Sequence, residues 1–117
     1  MIKIFDQVQP WPYKVNFVDS NNVVLGYDMN SSCCELVEWK MEPNLTEAEL
    51  IDYVFDTTYF DSRIGEPEYE EGGWARFKLV SAGKPDVYIT LSNVQNGYYS
   101  HGFDFSQDKN IIQSGSL

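Results

Sequence analysis

Residues 74–91, WARFKLVSAGKPDVYITL, contain the pattern that decides the fold. Between positions 74 and 80, apolar side chains alternate with charged ones, which is typical of a strand with one buried face. The following residues, 82–86, contain Gly83 and Pro85 and predict a turn. This turn leads to a second strand over residues 87–91. The segment therefore favours an antiparallel sheet.

Similar signals occur on both sides of this segment. Residues 13–18 alternate as a strand, residues 19–22 read Asp-Ser-Asn-Asn and predict a turn, and residues 23–27 complete a hairpin. A third strand is predicted over residues 33–39. Near the end of the chain, the tight-turn pair Asn-Gly precedes an aromatic-rich strand over residues 98–105.

One segment predicts a helix instead. Thr46 and Glu49 form a capping box, in which the Thr46 hydroxyl accepts from the N–H of Glu49 and the Glu49 side chain reaches back to Thr46. The apolar side chains at positions 50, 51, 54 and 55 would share one face of that helix. We therefore predict one main helix over about residues 46–56.

These elements together predict an α+β fold. The expected architecture is a single domain over residues 1–112, with an antiparallel sheet of about five or six strands and the helix packed on it. Residues 113–117 are polar and rich in serine and glycine, so they are expected to form a flexible tail.

The charge of the chain is concentrated in one third of its length. The formal net charge is −10. Residues 42–71 contain ten acidic side chains and one basic side chain, Arg63, whereas the rest of the chain is close to neutral. Acidic side chains in a first helical turn and a solvated loop would explain part of this excess. The alternative interpretation is a surface of one sign that attracts a basic partner.

On the second interpretation, acidic side chains pair with the partner's lysine and arginine while aromatic side chains anchor the contact. The same acidity disfavours direct binding to nucleic acid or to anionic lipid. The predicted partner-binding residues are Asp52, Asp56, Asp61, Glu66, Glu68, Tyr69, Glu70, Glu71 and Trp74.

Cys33, Cys34 and His101 are the residues with the greatest chemical reactivity. Adjacent cysteines in a strand project to opposite faces, and no second cysteine pair or histidine cluster completes a zinc set. Two small buried thiols are one interpretation; a redox role, a metal site and a nucleophilic dyad with His101 are the others. Because no catalytic motif occurs, we predict no catalytic residues, no metal and no cofactor.

Two short segments resemble a known family. Residues 32–35 (SCCE) and 96–103 (NGYYSHGF) resemble an uncharacterised family of small bacterial and phage domains, which carries a Cys-Cys-Glu segment early and an Asn-Gly-Tyr-Tyr-X-His-Gly-Phe-like segment late. The resemblance implies a bacterial or phage context and no particular activity. In that context, the charge pattern is similar in style to that of small phage inhibitors such as anti-CRISPR proteins.

The leading hypothesis is therefore a non-catalytic acidic inhibitor, phage-encoded and directed against host defence. It would block a basic nucleic-acid-binding surface of a host effector such as a Cas protein or a nuclease. An immunity protein that neutralises a basic toxin nuclease is one alternative, and a small enzyme or ligand-binding domain using Cys33 or Cys34 with His101 is another. No apolar run approaches the ~18 residues of a membrane span, and no signal-peptide pattern begins the chain, so we expect a cytoplasmic location.

Overall fold

A computed structural model describes residues 3–7, 14–29, 36–63, 72–94 and 102–117, and every regular element in these ranges is a β-strand. The described strands are β1 (Lys3–Gln7), β2 (Lys14–Val18), β3 (Val23–Asp28), β4 (Leu36–Glu42), β5 (Val54–Phe55), β6 (Asp61–Arg63), β7 (Gly72–Val80), β8 (Val87–Val94), β9 (Gly102–Gln107) and β10 (Asn110–Ser116). The predicted α+β fold is therefore wrong, because the described part of the chain is all-β.

The strands form two antiparallel sheets. Sheet A has the order β1-β2-β3-β9-β10, and sheet B has the order β4-β8-β7-β5, with β6 also pairing with β7. The predicted hairpin over residues 13–27 is confirmed by the pairing of β2 with β3, and the strands predicted within residues 74–91 are confirmed as β7 and β8. Each sheet combines strands that are distant in sequence, so neither is a simple meander.

The two sheets pack face to face around one apolar core. In β7, for example, Ala75, Phe77 and Leu79 are fully buried, while the residues between them are only half-buried. Phe77 contacts Phe105 of sheet A, with ring centroids 4.9 Å apart. At the other side of the sandwich, Phe17 of β2 meets Trp39 of β4 edge to face, also at 4.9 Å. Alternation therefore separates an inner face from an outer face on each sheet.

A buried carboxylate joins the two sheets. Asp19, in the turn between β2 and β3, is only 5% exposed. Its Oδ1 accepts hydrogen bonds from the backbone N–H groups of Asn21 and Val23, and its Oδ2 accepts one from Phe55 in β5. Three backbone donors thus satisfy both oxygens of this buried side chain. The turn predicted at residues 19–22 thus also attaches β5 to sheet A.

The predicted helix over residues 46–56 is also wrong, although its capping box forms. The N–H of Thr46 donates to Glu49 Oε1 at 3.1 Å, and the N–H of Glu49 donates to Thr46 Oγ1 at 3.3 Å. Leu50 N–H completes a single helical turn with the carbonyl of Thr46. The chain then leaves the helical path, because Val54 and Phe55 pair with β7 as strand β5.

Burial explains why the single helical turn does not continue as a longer helix. Leu50 and Tyr53 are buried, and the Tyr53 hydroxyl donates to the carbonyl of Pro85 at 2.6 Å. Phe55 enters the core, whereas Ile51, which the helical pattern assigned to the apolar face, is 54% exposed. Pairing with an open strand edge buries Phe55 and satisfies the backbone, so tertiary packing overrides the local helical signal.

Two predicted strands continue further than expected. The strand predicted at 33–39 continues to Glu42 as β4, and the strand predicted at 98–105 continues to Gln107 as β9; residues 33–35 and 98–101 lie outside the described residues. The expected tail at residues 113–117 instead lies in β10 and the residue after it. Leu117 is buried, and its carbonyl accepts a hydrogen bond from Asn93 Nδ2 at 2.9 Å. Within the described ranges, no helix has the length and apolarity that a membrane crossing needs.

Candidate functional site

The outward side chains of sheet B form rows across its strands. Trp74 in β7 lies between Arg63 of β6 and Ser92 of β8. Two positions further along β7, Arg76 belongs to the next row. Side chains directly opposite one another on antiparallel strands share a face and lie within contact range. These rows make up the outer face of sheet B, which comprises the outward side chains of β4, β6, β7 and β8.

Arg76 is held in place by its neighbours on this face. Its guanidinium carbon lies 4.8 Å from the centroid of the Trp74 ring, and its Nε donates to Thr90 Oγ1 at 3.2 Å. The ring contact is a cation–π interaction, which favours a stacked guanidinium. Because the side chain is already ordered, less conformational entropy is lost when it binds a carboxylate or a carbonyl group.

Lys78 occupies the next row, between two tyrosines. Its Nζ lies 5.2 Å from the ring centroid of Tyr59 and 5.9 Å from that of Tyr88, and it forms a 3.5 Å ion pair with Asp86. The two tyrosine rings contact each other edge to face at 5.7 Å. Tyr59, in the segment between β5 and β6, therefore extends the outer face of sheet B with a further aromatic ring.

A shallow cleft opens among these side chains. It has a volume of about 230 Å³ and is lined by Glu42, Tyr59, Arg76 and Tyr88. Pockets for drug-sized molecules are roughly 300–1,000 Å³, so this cleft is nearer to the size of one side chain. It combines a cation, a carboxylate and two aromatic rings, which can bind an amphipathic group of a partner protein.

Among the predicted site residues that the structure describes, Asp61 and Trp74 lie on this face. Asp61 is exposed in β6, opposite Arg76, and Trp74 is half-buried in β7. Asp52 lies elsewhere, in the turn over residues 47–52, and its Oδ2 forms a 3.1 Å ion pair with Lys84 of the turn between β7 and β8. Of the four predicted residues that are described, the structure thus brings two together on this face.

Asp56 has a local structural role. Its Oδ1 accepts hydrogen bonds from the Thr58 hydroxyl at 2.6 Å and from the Thr58 N–H at 3.0 Å. These bonds favour the ionised carboxylate and lower the pKa of Asp56 below its ordinary value of 3.8; the positive charge of Lys78 acts in the same direction. Asp56 is half-buried, and its backbone N–H pairs with the carbonyl of Lys78.

The remaining predicted partner-binding residues lie outside the described ranges. They are Glu66, Glu68, Tyr69, Glu70 and Glu71. The reactive residues named from the sequence, Cys33, Cys34 and His101, also lie outside these ranges. In the part of the chain that is described, no group of three or more histidine, cysteine or acidic side chains is placed to hold a metal ion.

Sequence reasoning missed the cations and tyrosines of the outer face of sheet B. The alternation in β7 already places Trp74, Arg76 and Lys78 on one face, and this signal was available. Tyr59 and Tyr88 come from other segments, and no local pattern links them to β7. Their proximity depends on strand order and register, which a single sequence does not specify.

The fold and this surface define the chain as an all-β sandwich domain with a mixed aromatic and charged sheet face. The chain belongs to the family described as Domain of unknown function (DUF7448), which matches residues 3–105. This membership is consistent with the expected uncharacterised family, and the matched range ends before β10. No curated protein and no solved structure matches the chain significantly.

Proposed function

We propose that this domain is a non-catalytic protein-binding module that inhibits a basic partner by covering its nucleic-acid-binding surface. The observation that carries the proposal is the concentration of Trp74, Arg76, Tyr59 and Tyr88 on the outer face of sheet B. Tryptophan, tyrosine and arginine are the residue types that dominate the energetics of protein interfaces. A sandwich core does not require them on a solvent-facing sheet surface.

The acidic segment, residues 42–71, indicates that the partner is positively charged. Among the described acidic residues of 42–71, Asp56 is half-buried and the others are exposed: Glu42, Glu47, Glu49, Asp52 and Asp61. Exposed carboxylates raise the rate of association with a basic surface and select against acidic competitors. The ordered Arg76 would then bind a carboxylate or a backbone carbonyl near the centre of the contact.

The proposal also specifies the class of protein to which the partner belongs. Carboxylates spaced along a surface can occupy lysine and arginine side chains that otherwise bind phosphates. A nucleic-acid-binding effector of host defence, such as a Cas protein or a nuclease, has such side chains. The net charge of −10 and the resemblance to small phage and bacterial domains support an anti-defence inhibitor.

The test begins with capture of partners on the immobilised chain from bacterial lysate, at ~0.05 M and ~0.5 M salt. A captured basic protein is then purified, and its affinity for the chain and for labelled nucleic acid is measured. We expect the chain to displace the nucleic acid and the affinity to fall as salt rises. Trp74→Ala should weaken binding about tenfold or more without changing the salt dependence.

A matched pair of variants isolates the acidic segment. Glu68→Gln with Glu70→Gln removes two charges from residues 42–71, and Asp28→Asn with Asp104→Asn removes two charges from sheet A. We expect the first pair to weaken binding and reduce its salt dependence, and the second pair to change both far less. Equal effects of the two pairs, or undisturbed nucleic-acid binding by the partner, would contradict the proposal.

A further inference from the structure

The edge strand β10 differs from every other described edge of the sandwich. An edge strand exposes unpaired backbone N–H and C=O groups, and natural sheets protect such edges with charge, proline or short length. In sheet B, β4 carries Glu38, Lys40 and Glu42, while β5 and β6 span two and three residues. On the opposite edge of sheet A, the sequence of β1 contains Lys3 and Asp6.

Strand β10 has none of these charges over its seven residues, NIIQSGS. Ile111 is 62% exposed and Ile112 is 37% exposed; among the described residues, they and Ile51 are the large apolar side chains left on the surface. A bulge lies between Ile111 and Gln113, and regular pairing with β9 resumes from Gln113 to Ser116. The strand therefore combines a regularly paired segment with two exposed isoleucine side chains at the bulge.

This edge is fixed in position. Leu117, directly after the strand, is 4% exposed, and its carbonyl accepts the hydrogen bond from Asn93 of β8. The anchor connects the end of β10 to sheet B. An ordered edge can accept another strand with little further loss of backbone entropy.

The charge of the chain indicates what kind of strand could be added beside β10. Phe55 contacts Phe105 at 5.2 Å and Phe60 contacts Phe103 at 5.9 Å, so the β5–β6 side of sheet B packs over β9, the neighbour of β10. This side is not acidic by itself, because Asp56 and Asp61 lie beside Lys78 and Arg76; the negative charge that an added strand meets is the net charge of the whole chain, −10. A second copy of the chain would bring two net charges of −10 together, whereas a basic strand would meet opposite charge.

We infer that β10 binds an extended, basic segment of the partner as an added antiparallel strand of sheet A. Backbone hydrogen bonds supply affinity, apolar side chains of the segment cover Ile111 and Ile112, and its lysine or arginine side chains are attracted by the net negative charge of the chain. The inference rests on the proposed function, since it takes the partner to be basic.

The test uses three short, terminally blocked, fluorescent peptides on the full chain. One alternates lysine and valine, one alternates glutamate and valine, and one alternates lysine and proline, which keeps the charge but removes backbone donors. We expect the lysine–valine peptide to bind about tenfold more tightly than either of the others. Its binding should slow hydrogen exchange at the backbone amides of β10 that face solvent.

A matched pair of variants tests the location. Ile111→Lys places a charge on the edge strand, and Ile51→Lys places the same charge at a similarly exposed isoleucine in the turn over residues 47–52. We expect the first variant to weaken binding of the lysine–valine peptide about tenfold and the second to change it less than about twofold. Equal losses would overturn the inference, because charge alone would then explain them.

The remaining outcomes separate this inference from the proposed function. Equal affinity for the lysine–proline peptide would overturn strand addition while leaving an acidic binding surface intact. Equal affinity for the glutamate–valine peptide would overturn the basic character of the added strand. A dimer detected by light scattering without peptide, and abolished by Ile111→Lys, would identify a second copy as the occupant and overturn the inference.

Discussion

Sheets A and B bury similar side chains but present very different ones to solvent. On the outer face of sheet A, the centre holds Asn16, Gly26 and Asp104, and a Cβ atom added to Gly26 would lie 2.9 Å from Asn16 Oδ1. On the outer face of sheet B, the central strand β7 presents Trp74 and Arg76. The centre of one outer face is tightly filled by short polar side chains, and the other outer face carries large side chains that contact each other.

The difference indicates which surface is available for binding. Inner faces are constrained by packing, so both sheets use phenylalanine, leucine and valine there. An outer face has no such constraint, and large aromatic side chains on it add little to folding. Their presence on sheet B favours binding at that face. Four substitutions test this comparison, from the largest expected effect to the smallest.

The first substitution removes a large inner side chain from β7. Phe77→Ala should lower the free energy of unfolding by about 3–5 kcal/mol, because Phe77 is fully buried against Phe103 and Phe105. Trp74→Ala, on the outer face of the same strand, should cost about 1 kcal/mol. Chemical denaturation of both variants measures the contrast. A cost at Trp74 equal to that at Phe77 would mean that the outer face is structural.

The second substitution breaks the link between the sheets. Asp19→Asn replaces one acceptor oxygen with a donor amide, so either the N–H of Phe55 or the N–H groups of Asn21 and Val23 face a donor instead of an acceptor. We expect a loss of about 2–3 kcal/mol in the free energy of unfolding. Hydrogen exchange at the Phe55 amide should accelerate with it. Asp108→Asn, at an exposed carboxylate, is the control and should be nearly neutral.

The third substitution adds one methyl group to the outer face of sheet A. Gly26→Ala would place a Cβ 2.9 Å from Asn16 Oδ1 and 3.0 Å from Asp104 Oδ1. Forcing these oxygens aside should cost about 1–2 kcal/mol. Gly102→Ala is the matched control, since the nearest atom to its added Cβ is the Gly115 carbonyl oxygen at 3.9 Å. Thermal unfolding of the two variants should differ clearly; equal midpoints would show that this face is not crowded.

The fourth substitution affects the titration of Asp56. Its folded pKa is lowered chiefly by the Thr58 hydrogen bonds, so its contribution to stability is present above its ordinary pKa of 3.8 and is lost as pH falls through the folded pKa. Thr58→Ala should raise the pKa of Asp56 and cost less than about 1 kcal/mol at neutral pH. This stability difference should disappear in acid. An unchanged Asp56 carboxyl titration by NMR would refute this assignment.

Local patterns predicted the strands well where one face is buried. The alternation in β7 and the Asp-Ser-Asn-Asn turn between β2 and β3 each act within a few residues, and the structure has both. The capping box of Thr46 and Glu49 also forms as predicted. The helix it predicted does not form, because Val54 and Phe55 reach more burial and backbone pairing at the edge of β7.

The candidate site was predicted only in part. Trp74 and Asp61 lie on the outer face of sheet B, whereas Asp52 pairs with Lys84 at the turn between β7 and β8. Tyr59 and Tyr88 join this face from separate segments. Charge density can be counted along the chain, but the sequence does not state which charges neutralise each other across strands.

By itself, the sequence determined the inner and outer faces of the main strands, the tight turns and the segregation of acidic charge into residues 42–71. These properties follow from side-chain spacing and from interactions between close neighbours in the chain. The tertiary structure alone decided that residues 46–56 form a turn and a strand, that β10 forms an edge of sheet A, and that aromatic rings and cations meet on sheet B. Those outcomes depend on pairing between distant strands, where burial and backbone hydrogen bonding outweigh local preference.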